Sequence, residues 1–395
     1  RVSLLQSIRE FARNRLALLA AEPGVRRRHA EHYVVLAEAV SPLLWGQDQV
    51  DAFRTLHADA LDFRAALLWA AGPRGSTELA LRLVGQLWHY WELTGDFAEQ
   101  QRTAVALVEA APDAPPELRG PALSGAATLS WVLGRYDQAA DLHGLALRAF
   151  RETGNASAIA WTTMCLGVQA AQRGDTATAA RIATEVLSLP HASHLTRLSA
   201  LILLSRLAFY GGDHEQALEL SRQCVELSKP LRDSYQWRTV LTNLAESTEQ
   251  AGDLDGAESL LLEALNAGLP LGALGNLVGV LESLAGVYAA QKHLERAARL
   301  LGAADSHRKE QGPPLYGEEL VRVQAITARV RAEAGPIRFG LAWAGGRNLT
   351  LRQAVNEVLQ GAHHNGLPPG AAPDQADAHP SSPEDVLDPA PWSGP

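Results

Sequence analysis

Few residues in this sequence have the types and spacing to do chemistry. His29 and His32 stand three apart, as do His191 and His194, a spacing at which two imidazoles on one helix face could share a metal ion. Neither pair has a third ligand near it. With thirteen histidines in the chain such pairs arise by chance, so no metal centre is expected, and His363 and His364 do not change that. Nucleophilic catalysis has no Gly-x-Ser-x-Gly elbow to rest on. The dipeptide Gly-Lys is missing, which excludes a Walker A loop for a nucleoside triphosphate. Cys165 and Cys224 are too few for a disulfide framework in 395 residues and suit a reducing cytoplasm. Cys224 shares its place in the sequence pattern with Ala264 and Ala304, both small packing positions, so it reads as a buried structural thiol. The sequence therefore gives no catalytic residue, cofactor or metal ligand.

Composition points the same way. The chain is 47% hydrophobic and 20% charged, rich in the strong helix formers Ala and Leu. A net charge of -9 argues against a whole-chain nucleic-acid binder, because phosphate contacts need a basic face. Only the opening differs: Arg1, Arg9, Arg13, Arg15, Arg26, Arg27 and Arg28 stand against Glu10 and Glu22, a pattern that fits an exposed helix and linker better than a DNA contact. The longest apolar stretch, Leu198 to Tyr210, is broken by Ser199, Ser205 and Arg206, so no membrane span is expected and the chain reads as cytoplasmic. It begins at Arg1 rather than Met, which points to a fragment or an incomplete start.

The elements that must carry these residues repeat. Turn-like segments at Gly134, Gly174, Gly212, Gly252 and Lys292 interrupt apolar helical patterns at steps of 40, 38, 40 and 40 residues, with a weaker anchor at Gly95. Five residues after each of the five stands an alanine: Ala139, Ala179, Ala217, Ala257, Ala297. A small residue there lets two antiparallel helices approach at their crossing. Large aliphatics follow at the eighth position (Leu142, Ile182, Leu220, Leu260, Leu300) and precede at the eighth (Leu166, Leu204, Leu244, Leu284, with Ala126 in the first unit). Glycine supplies a left-handed cap and the following Asp can cap the next helix. Pro190, Pro230 and Pro270 fall where second helices should stop.

With these offsets the sequence resembles the tetratricopeptide family, in the longer-helix variant found in bacterial signal-transducing ATPases. The opening segment Val2–Ala12 with Arg26–Tyr33, and the closing segments Arg296–Ala304 and Leu341–Leu351, resemble the winged-helix end and last helices of large actinobacterial regulators, the LuxR and antibiotic-regulatory (SARP) groups, in which an NB-ARC-type ATPase precedes the repeats. The resemblance covers roughly residues 1 to 360. It implies an all-α, right-handed superhelical solenoid of helix pairs. The divisions are a winged-helix remnant and linker at 1–30, an N-terminal helical region at 31–115, repeats at 116–310, capping helices at 311–360 and a disordered tail at 361–395. The tail carries eight prolines, five acidic residues and no Lys or Arg, and Trp392 stands alone in it.

In that family the first helix of each pair lines the concave face. The family pattern places Thr128 and Trp131, then Trp161, Met164, Val168 and Gln172, then Arg206, Phe209 and Tyr210, then Glu246 and Glu249 in the groove, aromatic giving way to acidic. For Trp131 and Trp161 packing between repeats stays open as an alternative, and Trp88 and Trp91 are expected in the core. Such a wall suits a protein, a peptide or a small organic effector. The resemblance implies a sensor and scaffold arm of a regulator, of transcription in the groups named. ATP would be bound only by an N-terminal ATPase absent from this chain, with neither DNA nor membrane as a partner of this segment. A free-standing adaptor joining two proteins is the alternative, and an in-frame upstream Walker A sequence would separate the two.

Overall fold

The structure is a computed structural model that describes residues 22–94, 98–231, 234–269, 277–310, 315 and 317–364, with Phe11, Ala12 and Arg15. Gly95, Pro270, Trp392 and most of the segment 1–21 lie outside the described residues. Among those described the chain is all-α, with eighteen α-helices, two 3-10 turns and no strand.

The N-terminal region holds α1 (Glu22–Val40), a 3-10 turn (Ser41–Trp45), α2 (Gln49–Ala58), α3 (Ala60–Ala70), α4 (Thr77–Thr94) and α5 (Ala98–Ala110). Five helix pairs follow: α6 (Pro116–Val132) with α7 (Tyr136–Thr153), α8 (Ala156–Gln172) with α9 (Thr176–Ser188), α10 (His194–Tyr210) with α11 (His214–Ser228), α12 (Tyr235–Gln250) with α13 (Leu254–Gly268), and α14 (Val278–Ala290) with α15 (Leu294–Glu310). The chain continues through α16 (Gly317–Ala334), α17 (Pro336–Arg347) and α18 (Leu351–His364). The sequence boundaries at 30/31 and 360/361 fall inside α1 and α18, which run through them unbroken.

The five turns within the pairs are wired alike. Gly134, Gly174, Gly212 and Gly252 take positive φ of 75, 80, 84 and 89°, and Lys292 takes 67° in the fifth unit although its side chain disfavours it. After each anchor a backbone N–H closes back on a carbonyl five residues earlier (Arg135 on Ser130, Asp175 on Ala170, Asp213 on Ala208, Asp253 on Thr248, His293 on Tyr288), the Schellman closure that satisfies the end of the first helix. Asp175, Asp213 and Asp253 then cap the second helix, accepting from the N–H groups of Thr178, Gln216 and Gly256. The first unit differs: its cap position is Arg135, and Asp137 lies inside the first turn of α7. All five alanines at the crossing are fully buried. Helix α9 ends at Ser188 just before Pro190, and α11 at Ser228 just before Pro230.

The N-terminal region joins the array by close backbone approach. A Cβ on Gly125 of α6 would stand 2.9 Å from Trp88 of α4, and one on Gly85 of α4 would stand 2.8 Å from Pro121 of α6. Trp88 and Trp91 are buried in this core, as their place in the sequence suggests. The superhelix then curls far enough that its fourth unit meets the N-terminal region. The Tyr235 N–H at the start of α12 donates to Gln49 Oε1 at 2.7 Å, while Gln49 Nε2 donates to the Leu44 carbonyl at 2.5 Å. Gln49 is buried at this junction.

Candidate functional site: the inner face of the array

Side-chain bonds link first helices to one another, α6 to α8, α10 to α12, α12 to α14, and α16 to both α12 and α14, along the inner face of the array. On it Trp131 Nε1 donates to Gln172 Oε1 at 2.6 Å, linking α6 to α8. Trp131 is half-buried and bonded to the next repeat. Trp161 stands edge-on to Trp45, with ring centroids 5.6 Å apart. Trp45 in turn stacks on His89 at 3.7 Å and 9°, and Glu92 Oε2 lies 2.9 Å from His89 Nδ1. In the second unit, Trp161 thus meets an aromatic seam formed by residues of the N-terminal region.

Met164 does not belong to the groove. It is 1% exposed and packs in the core between α8 and α9 with Ala160, Ala179 and Ile182. The physical reason is the small residue beside it: Gly167 leaves α8 close enough to α9 that a Cβ there would meet Ile182 at 2.8 Å, and the Met164 side chain follows it inward. Val168 is half-buried against the same core. Thr128 is buried too, its hydroxyl donating to the Ser124 carbonyl of its own helix.

Further along, polar groups take over. Arg206 Nη2 donates to the Tyr210 hydroxyl at 2.9 Å, its guanidinium lies 5.1 Å from the centre of that ring, and Nη1 reaches Asn243 Oδ1 on α12 at 3.3 Å. Phe209 is half-buried, edge-on to Tyr210 and His214. Burial, offset in part by Arg206, raises the Tyr210 hydroxyl above the ordinary phenol range. Glu246 is 7% exposed and its Oε1 is ion-paired to Arg322 of α16 at 2.8 Å, and the Ser283 hydroxyl of α14 donates to the same oxygen at 2.7 Å. Arg322 also donates to Ser283 at 3.1 Å, which closes a triangle across three repeats. Beside it, burial pushes the Glu249 carboxyl up to about 7; Arg322 and Arg329 pull against that shift and Glu246 adds to it. Glu282, buried on α14, is gripped at both oxygens by Arg308 at 2.7 Å.

Sequence reasoning missed Asn243, Ser283, Arg322, Trp45, His89 and Glu92. The first three carried a signal. Asn243 and Ser283 both stand nine residues before their anchors, and Arg322 follows Ser283 by 39, one more repeat step. Trp45 and His89 had none, because they come from outside the periodic array. The other flagged residues have ordinary surroundings. His194 Nε2 pairs with the Leu227 carbonyl at 2.7 Å, His29 faces Asp62 at 3.6 Å, and Arg26 and Arg27 each pair with a glutamate one turn away on α1. Burial holds the Cys165 and Cys224 thiols up at about 12, far from thiolate reactivity.

No protein-family model matches the chain, and no curated protein does. Among solved structures it is similar to a Rap protein complexed with Competence and Sporulation Factor, at 13% identity and a TM-score of 0.51 over 85% of this chain and 99% of that one. It is also similar to NprR in complex with its cognate peptide NprX, at 13% identity and a TM-score of 0.49 over 82% of this chain and 96% of that one. A third likeness is to the APC/C tetramer Cut9–Hcn1, at 19% identity and 0.45 over 72% and 52%. At these identities the likeness is one of fold: the chain is a tetratricopeptide-like helical-repeat solenoid. No helix among the described residues is long and apolar enough to cross a membrane.

Proposed function

We propose that this chain is a binding module without catalysis of its own, which holds a peptide or protein segment along its inner face. We further propose that it serves as the sensor and scaffold arm of a cytoplasmic signal-transducing ATPase regulator, of transcription in the groups whose ends it resembles. ATP and DNA would be handled by domains outside this chain. The observation that carries the binding reading is the row of side chains that successive first helices bring to one face, from Trp131 and Gln172 through Arg206, Phe209 and Tyr210 to Glu246 and Glu249. Apolar rings supply contact area there, and charged groups fix orientation. The Rap protein of similar fold is complexed with the Competence and Sporulation Factor, which supports a binding role for such a scaffold. Its mechanism would be a shift of population: an occupant that prefers one curvature of the array favours that curvature and whatever it is coupled to.

The test is capture from bacterial lysate on the purified chain, read by mass spectrometry, with an Arg206→Ala, Phe209→Ala variant as the comparison. The reading expects a stoichiometric protein, peptide or small molecule that the variant loses while its helicity is unchanged. A partner held equally by both proteins would move the site off the inner face.

A further inference from the structure

Helix α16 stands on the inner face, yet it is fixed there differently from every helix before it. Its grip is polar: Arg322 on Glu246 and Ser283, and Lys292 Nζ on Glu333 at 2.9 Å on the rim. Apolar contacts support these: Val330 is buried in the C-terminal core with Val323, Ile326 and Ala334 packed against that core, and Ile326 lies 3.2 Å from where a Cβ on Gly286 would stand. Of its eighteen residues only Val330 is buried, whereas α14, the first helix beside it, buries eleven of thirteen.

Helices α17 and α18 are held on α15 by contacts that do not involve α16. Helix α17 lies directly on α15, backbone to backbone: a Cβ on Gly346 would collide with the Arg299 carbonyl, and one on Gly302 with that of Trp343. Helix α18 buries Ala354, Val355 and Val358 in the same core and is tied to α15 by the two-pronged Arg299–Glu357 pair at 2.8 Å. Left-handed glycines bound α16 at both ends, Gly317 at φ 54° and Gly335 at 79°, where the chain can turn freely. The fit of α16 is also incomplete: among the described residues Arg322 Nε meets no acceptor. Glu249 lies beside Gly286 with its carboxyl pushed up to about 7 by burial, which Arg322 and Arg329 only partly offset.

We propose that the acidic inner face of α12 and α14, built on Glu246, Glu249 and Ser283, is a docking site for an arginine-bearing helical segment of a partner protein, and that α16 fills it in cis until the partner displaces it. This deepens the binding reading above and rests on it. Charge complementarity selects the occupant. The bound guanidinium serves a carboxylate and a hydroxyl at once, which a planar fork does and a lysine ammonium does less well. A partner with a second cation one turn beyond its arginine would also satisfy Glu249, and so outcompete α16.

The experiment uses a fluorescently labelled synthetic peptide of residues 317–334, titrated into the full chain by anisotropy. The wild-type protein should bind it at least tenfold more weakly than Arg322→Ala, in which the cis occupant has lost its anchor. Adding Glu246→Gln to that variant, or replacing the peptide's own arginine equivalent to Arg322 by alanine, should abolish binding. Where Arg322→Ala does not fold, Arg322→Lys keeps the charge but not the fork and should bind the peptide more tightly than wild type. Equal binding to wild type and both variants, or binding to none, overturns the proposal. Loss of peptide binding with lysate capture retained would sink this proposal alone, whereas loss of inner-face capture with peptide binding retained would sink the broader scaffold reading instead.

Discussion

The two halves of the array share one turn geometry but hold their inner faces by different forces. In the N-terminal half the face is closed by packing, with Trp45 on His89 and Trp161 against Trp45, next to the tight α4–α6 crossing. In the C-terminal half it is closed by polar and charged groups, with Arg206 of α10 on Asn243 of α12, and Glu246 of α12 on Arg322 of α16 beside Glu249. A packed surface loses stability steeply when it is opened, because cavities stay unfilled. A charged surface gives up its internal partner to water or to another ion pair at small net cost. One scaffold thus carries a rigid half and an exchangeable half.

Breaking the packed half should cost most. Trp88→Ala removes the ring against which Gly125 lies and should destabilise the chain by about 3–5 kcal/mol in a denaturant titration. Glu246→Ala is the matching cut in the charged half, and it separates two pictures. A fixed α16 would strand Arg322 at a cost of roughly 3–5 kcal/mol. A displaceable α16 swings Arg322 into water, so the global cost stays under about 1.5 kcal/mol while α16 loses protection. A value at the upper figure would show the two halves to be equally rigid.

Smaller effects sharpen the contrast. The Glu249 carboxyl sits at about 7 in the folded chain against an ordinary 4.5, so the folded state holds its proton more tightly. Stability contributed by this group is fully present below pH 4.5 and is lost as pH rises through 7. Glu249→Gln should therefore flatten the pH dependence between 5 and 8 and stabilise the chain at pH 8 by roughly 1 kcal/mol. His143, buried in the N-terminal half and lowered to about 3 by that burial, titrates with the opposite sign, so the variant is compared with wild type at each pH. Last, Lys292→Gly relieves a left-handed lysine and should raise the melting temperature, gaining about 1 kcal/mol less the small worth of its exposed pair with Glu333.

The turns were legible in the sequence because their chemistry is local. Glycine at the anchor, Asp after it and Ala five on each answer to geometry within one unit, and even Lys292 was located by spacing. The inner face was legible only as a list of candidates. The family pattern placed Arg206, Phe209, Tyr210 and Glu246 on the first helices, but it does not tell which side chains find partners. Met164 turned inward because Gly167 narrows the crossing, a tertiary effect that a family pattern does not encode. Trp45 and His89 come from segments without a period, and Arg322 was read as part of a cap although it lies one repeat step past Ser283.

The central claim is that α16 is an exchangeable occupant of a stable groove, and hydrogen exchange followed by mass spectrometry on the unmodified chain tests it most directly. The account predicts that amides of residues 318–334 exchange at least roughly a hundredfold faster than those of α14, while α17 and α18 stay protected. Protection of α16 equal to that of α14 would contradict it.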